Sequence, residues 1–214
     1  MDNIKLYQPV GKEGVGCMSD KRQHIIKLSA ALMHSKGYEN TKLSDILQAA
    51  EIGKGNFYHY FESKQELGLA VLDYIFSYWK YALLENILSA AKDPEVKFDE
   101  MLAWVVNQQK RNQSKCGCVF GNLAVEMSEH DEAFRRKVES VFDQWTDKLA
   151  HVFAEMIGSA TVSDEQIFKF AQSIVAMLEG GILLMKSKQD IAVLENVTEL
   201  ARTTVYHFVQ QYKK

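Results

Sequence analysis

The densest chemistry in the chain lies between positions 54 and 64. In Lys54-Gly55-Asn56-Phe57-Tyr58-His59-Tyr60-Phe61 the two phenylalanines stand four apart, the spacing of one buried helix face. With Phe57 and Phe61 inward, Lys54, Gly55, Asn56, Tyr58, His59 and Tyr60 turn outward, and Lys64 follows. Lysine and asparagine reach base edges, while hydroxyls and cations suit phosphates. Such a row fits double-stranded DNA better than a plain solvated surface. Catalytic chemistry finds no comparable cluster: there is no G-x-S-x-G, no H-E-x-x-H and no glycine-rich phosphate loop. The six histidines (24, 34, 59, 130, 151, 207) are never paired at ligand spacing, and Cys116-Gly117-Cys118 is C-x-C rather than a zinc or redox C-x-x-C. No enzyme, metal or cofactor is expected.

These residues must be held by helices. Only two prolines, Pro9 and Pro94, interrupt 214 residues, and apolar side chains recur at three and four rather than two. The fold class is all-α. Residues 1–17 lack periodicity and read as a flexible arm, with Met18 offering an alternative start directly before the first helix. Ser19 caps a first helix whose buried face is Ile25, Ile26, Ser29, Leu32 and Met33, ended by Gly37. Thr41 caps a short second helix carrying Leu43, Ile46, Leu47 and Ala50. Glu51-Ile52-Gly53 separates it from the helix bearing the outward row. Two short helices joined by so tight a turn have the proportions of a helix-turn-helix.

Ser63-Lys64-Gln65-Glu66 is a capping box that opens a helix running to about Ala91. Further helices are expected at about 95–112, after Cys118, at about 132–157, at about 164–187 from a second capping box (Ser163 to Gln166), and at about 192–211. The boundaries are an arm at 1–17, a head at 18–64 and a helical domain at 65–214. The net charge of −3 divides into +2 for residues 18–64, zero for the arm and −5 for the rest, the sign expected of a DNA head on an acidic body. The three cysteines do not make a disulfide scaffold, no run reaches the roughly 18–20 apolar residues of a membrane span, and no signal peptide opens the chain, so a soluble, cytoplasmic protein is expected.

Gly37-Tyr38, Thr41-Lys42-Leu43-Ser44-Asp45-Ile46, Ala49-Ala50 and Lys54 through Leu67 occur in an order and spacing that resemble the DNA-binding head of the TetR family of one-component bacterial regulators. The resemblance covers about residues 20–67 and implies a three-helix head on a C-terminal ligand-binding and dimerisation domain. By position it implies that Lys54, Gly55 and Asn56, with Ser44, lie nearest base edges. Thr41, Lys42, Tyr58, His59 and Lys64 would hold phosphates, with Tyr60 nearby. Two departures stand out. Gly53 replaces the usual Ser or Thr cap, and Glu51 replaces the usual turn glycine.

The family habit further implies a homodimer formed through the last two long helices. The helix at 164–187 is apolar nearly all round, and Gly180-Gly181 would permit close approach of another helix. A small effector would bind in the C-terminal helices, with Phe76, Trp79, Trp104, Phe120, Asn122, Glu126, Trp145, Met177 and Met185 as candidate lining. Aromatic and methionine lining suits a small apolar or aromatic molecule. The stretch from Cys116 to Glu126 is similar to a "GC…GNLA.E" segment of one TetR subgroup, some of whose members sense drugs, flavonoids or electrophiles. A cysteine at a helix N-terminus has a lowered pKa, which makes Cys118, with Cys116, a candidate oxidant sensor. The reading is therefore a repressor released from a palindromic operator by a small effector. Its rivals are the same head triggered by cysteine oxidation, an architectural DNA binder without an effector, and a helical carrier without regulatory DNA binding.

Overall fold

The computed structural model describes residues 20–158 and 162–213, so the arm, Cys17 and the Ser19 cap lie outside the described residues. Every element among the described residues is helical. They are α1 (Asp20–Lys36), α2 (Leu43–Ala49), α3 (Lys54–Tyr60), α4 (Lys64–Trp79), α5 (Pro94–Arg111), α6 (Val119–Met127), α7 (Glu132–Ile157), α8 (Asp164–Lys188) and α9 (Ile191–Tyr212).

The caps follow local chemistry. Ser63 Oγ accepts from the Glu66 N–H at 3.0 Å, but the returning Glu66 carboxylate takes the N–H of Glu62 rather than that of Ser63. Ser163 and Gln166 form the complete reciprocal box at the start of α8. Pro94 occupies the first turn of α5, where its missing N–H costs nothing, and Asp93 accepts from the Glu95 N–H. The long helix expected to run to about Ala91 changes character at Lys80 and continues to Leu88 as a wider π-helical stretch.

Two compact units divide the chain. The first holds the described residues through Tyr81 together with Asn122–Val138. Its core comprises Ile25, Ile26 and Met33 of α1, Ile46 of α2, Phe57 of α3, Phe61, and Leu67, Val71, Leu72 and Ile75 of α4. Gly68 is needed there, since a Cβ would stand 2.6 Å from the Tyr38 ring and 2.7 Å from that of Phe134. The second unit holds Ala82–Gly121 and the residues from Glu139 onward. Within it α8 packs along α9, and Gly181 lets the two helices close, because a Cβ there would meet Val197 at 2.8 Å. The division falls between Tyr81 and Ala82, inside α6 between Gly121 and Asn122, and inside α7 between Val138 and Glu139.

Helix α8 has an 18-residue window of mean hydropathy 1.5, long and apolar enough by length and composition to cross a membrane, although polar residues such as Lys169, Gln172, Ser173 and Glu179 break it into shorter apolar runs. Its Ile167, Ala171, Ile174, Leu178, Ile182 and Met185 are buried within the second unit, while Leu183 and Leu184 are exposed.

Candidate nucleic-acid interface and the helices behind it

Helix α3 is seven residues long, too short to be stable alone, so its position depends on what it buries. Phe57 and Phe61 are 0% and 1% exposed, with ring centroids 5.7 Å apart, and the Arg22 guanidinium lies 4.6 Å over the Phe61 ring. This anchor turns the opposite face outward. Lys54, Gly55, Asn56, Tyr58 and His59 are exposed and Tyr60 is half-buried. Tyr58 is 51% exposed, a large apolar ring in water beside the Lys54 ammonium, 6.0 Å from its centroid. Gly55 has nothing within 4 Å of where a Cβ would be, leaving its backbone open to close approach.

The α2–α3 turn shows what the Glu51 departure costs. Glu51 adopts φ +52°, the left-handed conformation a glycine would take without strain. At Gly53 the N-cap position has no side-chain hydrogen bond, so α3 starts uncapped.

The α1–α2 turn corrects one assignment. Thr41 is fully buried, and its hydroxyl donates to the Gly37 carbonyl at 2.6 Å instead of facing a phosphate. The N-cap of α2 is Lys42, one residue later than expected, and the Asp45 carboxylate accepts from its N–H at 3.3 Å. Lys36 pairs with the same carboxylate at 3.2 Å and holds it below the usual carboxylate range. Lys42 and Ser44 remain exposed. Lys64 is half-buried, its ammonium 4.3 Å over the Tyr38 ring and 3.4 Å from the Glu39 carbonyl.

Glu126, taken from the sequence as effector lining, stands at this turn. One oxygen of its carboxylate accepts from the Tyr38 N–H at 3.0 Å and the other from the Glu39 N–H at 2.7 Å. Gly37, at φ +85°, leaves the space the carboxylate occupies. The remaining effector candidates divide between the units. Phe76, Trp79 and Asn122 belong to the first, and Trp104, Phe120, Trp145, Met177 and Met185 to the second. Phe120, Trp145 and Met185 are core residues at 0%, 1% and 0% exposure, and the Trp145 indole N–H donates to Met101 Sδ at 3.3 Å. A groove of about 220 Å³ in the second unit is lined instead by Leu102, Val106, Asn107, Lys110, Thr198 and Arg202.

The cysteine expectation is also corrected. Cys118 is buried, and burial together with the Glu179 carboxyl pushes its thiol well above the ordinary value, the opposite of an activated thiolate. Cys116 is pushed up by burial as well, opposed by Lys186 and Lys115. Sequence reasoning passed over Glu179. Burial pushes its carboxyl up to about 7, against the lowering effect of the Cys118 hydrogen bond. The residue is partly exposed overall, but its Oε1 is buried and has no hydrogen-bond partner among the described residues. The available signal was a lone carboxylate in the run between Lys169 and Lys186.

Residues 25–71 match the model of bacterial regulatory proteins of the tetR family, and residues 94–200 match the C-terminal domain of LmrA/YxaF-like transcriptional regulators. An uncharacterised HTH-type transcriptional regulator from the lacX 3' region of Lactococcus lactis subsp. lactis is 35% identical over 187 residues, covering 87% of this chain and 94% of that one. The chain belongs to the TetR family. A second relative, the HTH-type transcriptional repressor DhaR of a Mycobacterium sp. (strain GP1), is 28% identical, covering 79% of this chain and 84% of that one. A crystal structure of a TetR regulatory protein from Rhodobacter sphaeroides superposes with a TM-score of 0.77 at 26% identity, covering 86% of this chain and 98% of that one. TetR-family proteins are DNA-binding transcriptional regulators, a non-enzymatic class, and α2–α3 are this chain's helix-turn-helix.

Proposed function

We propose that the protein is a homodimeric, cytoplasmic repressor that inserts α3 into the major groove of a palindromic operator. The observation that carries this reading is the exposed row Lys54, Asn56, Tyr58 and His59 on a helix pinned from behind by buried Phe57 and Phe61. Lys54, Gly55 and Asn56, with Ser44, take the base edges. Lys42, Tyr58, His59 and Lys64 take phosphates, with Tyr60 beside them. The repressor sense follows the relative DhaR, which is a transcriptional repressor.

Dimerisation through α8 and α9 is supported by what these helices leave uncovered. Leu183 and Leu184 on α8 and Leu200 on α9 are 61%, 53% and 57% exposed, beside exposed Gly180, whose missing side chain leaves room for a partner backbone. Two heads in such a dimer meet half-sites about one helical turn apart, roughly 34–36 Å. A small apolar or aromatic effector bound in the C-terminal helices releases the operator by favouring a dimer whose heads no longer match that spacing.

The test is selection from a random duplex pool followed by sequencing. Enrichment of a palindrome with half-sites one turn apart supports the reading. Binding that depends on salt but not on sequence would mark an architectural protein, and no binding would leave a helical carrier. A thermal-shift panel of small aromatic compounds, followed by release from the enriched duplex, then identifies the effector.

A further inference from the structure

The α1–α2 turn presents two consecutive backbone N–H groups, those of Tyr38 and Glu39, to one side. Gly37 makes this possible, because its left-handed φ of +85° turns the chain so that neighbouring amides converge. Successive N–H groups after a left-handed residue form an anion-binding concavity. The anion here is built in. The two oxygens of Glu126 take one N–H each, at 3.0 and 2.7 Å, across 88 and 87 residues of sequence. A Cβ on Gly37 would stand 3.0 Å from Glu126 Oε1, so the notch is matched to the carboxylate.

The buried Tyr38 ring packs on Phe134 with centroids 4.7 Å apart, while the turn's other polar ties are local or weaker. Thr41 bonds back to the Gly37 carbonyl four residues away, and the Thr41 N–H reaches the Tyr38 carbonyl at 3.2 Å. Lys64 reaches the Glu39 carbonyl at 3.4 Å. Helix α2 hangs from this turn with only Ile46 buried along its seven residues. A seven-residue helix with one buried side chain takes its direction from its ends. Its N-terminal end is the turn that Glu126 grips, and α2 in turn leads through Glu51 to α3.

We propose that Glu126 is a positioning residue for operator binding, a carboxylate latch that fixes the α1–α2 turn and thereby the angle at which α2 and α3 meet DNA. The latch touches no nucleotide. It acts through the backbone of Tyr38 and Glu39, and it lies on α6, whose first turn belongs to the second unit. The inference rests on the DNA-binding role of the head and goes beyond it by naming what holds the head in register.

The experiment compares the full-length wild type with Glu126→Gln and Glu126→Asp on the enriched duplex and on an unrelated duplex of equal length. Glu126→Gln keeps the size but replaces one acceptor with an amide NH2 that faces an N–H. We expect it to lose at least about tenfold in affinity for the enriched duplex, the cost of a charge-assisted hydrogen bond. Glu126→Asp, one methylene shorter, keeps the charge and falls between. Affinity for the unrelated duplex should stay within about twofold, since the phosphate-facing cations are untouched. Amide exchange at Tyr38 and Glu39 should accelerate in Glu126→Gln while the amides in the middle of α1 keep their protection. Wild-type affinity in Glu126→Gln, or unchanged exchange at Tyr38 and Glu39, overturns the latch. Equal losses on both duplexes, or lost protection throughout α1, also overturn it, because Glu126 would then serve general stability. If the wild type itself enriches no duplex, the regulator reading fails, and the exchange measurement still judges the contact.

Discussion

Two carboxylates, one in each compact unit, meet their surroundings in opposite ways. Glu126 holds its two oxygens against two backbone N–H groups of the α1–α2 turn. Glu179 on α8, beside Cys118, is partly exposed but holds one oxygen buried without a partner, and its carboxyl is pushed up to about 7. The difference shows what burial demands of an acid. Where two N–H donors converge, both oxygens are matched and the side chain becomes a structural tie; where an oxygen is buried without a donor, as at Glu179, the carboxyl resists ionising. Glycine makes room in both places, since a Cβ on Gly37 would crowd Glu126 Oε1 at 3.0 Å and one on Gly121 would meet Glu179 Oε2 at 2.5 Å.

The largest effect on stability should come from filling the first of these notches. Gly37→Ala places a side chain at φ +85° and presses on the latch, and should lower stability by about 3 kcal/mol in chemical denaturation. Gly121→Ala should cost about 2 kcal/mol by overpacking against Glu179. If Gly121→Ala proves the more damaging, the second site is the more rigid of the two and the contrast is reversed.

Glu179→Gln sharpens the comparison through pH. The folded carboxyl at about 7 lies above its ordinary value of 4.5, so the native state holds its proton more tightly than the unfolded chain. Stability contributed by this group is therefore lost as pH rises from about 4.5 to about 7, and the penalty is constant above that. The variant should match the wild type near pH 4.5 and exceed it by on the order of 1–3 kcal/mol at pH 8, read as thermal midpoints across a pH series. A constant offset at every pH would mean that the effect is packing rather than charge.

Glu51→Gly should give the smallest effect, a gain of about 0.5–1 kcal/mol in denaturation midpoint. The left-handed strain at φ +52° disappears, and part of that gain is offset by the freedom of glycine in the unfolded chain.

Much of this was legible in the sequence because it is local. Two helix starts were marked by Ser63 and Ser163, with Glu66 and Gln166 three residues on, and the left-handed ending of α1 by Gly37. The outward row of α3 followed from the four-residue spacing of Phe57 and Phe61. What stayed hidden depends on distant neighbours. Thr41 reads as a cap by type, yet its hydroxyl finds the Gly37 carbonyl first. Glu126 and Asn122 share a helix face, but nothing nearby in the sequence says that the face meets Tyr38 and Glu39. The π-helical turn after Trp79 carries no proline or glycine to announce it. Cys118 looked activated by its position at a helix start, and the burial that reverses this is a tertiary fact.

The central claim is that α3 reads DNA with its exposed row, and binding of the enriched duplex by wild type and by an Asn56→Ala/Tyr58→Ala double variant tests it most directly. Asn56 is exposed and Tyr58, half in solvent, meets the core only edge-on at Phe57, so the variant should fold as the wild type does by circular dichroism. We expect its affinity for the enriched duplex to fall by about a hundredfold, on the order of 1–3 kcal/mol for each base or phosphate contact removed. Equal affinity in the two proteins would contradict the assignment of α3 as the reading helix.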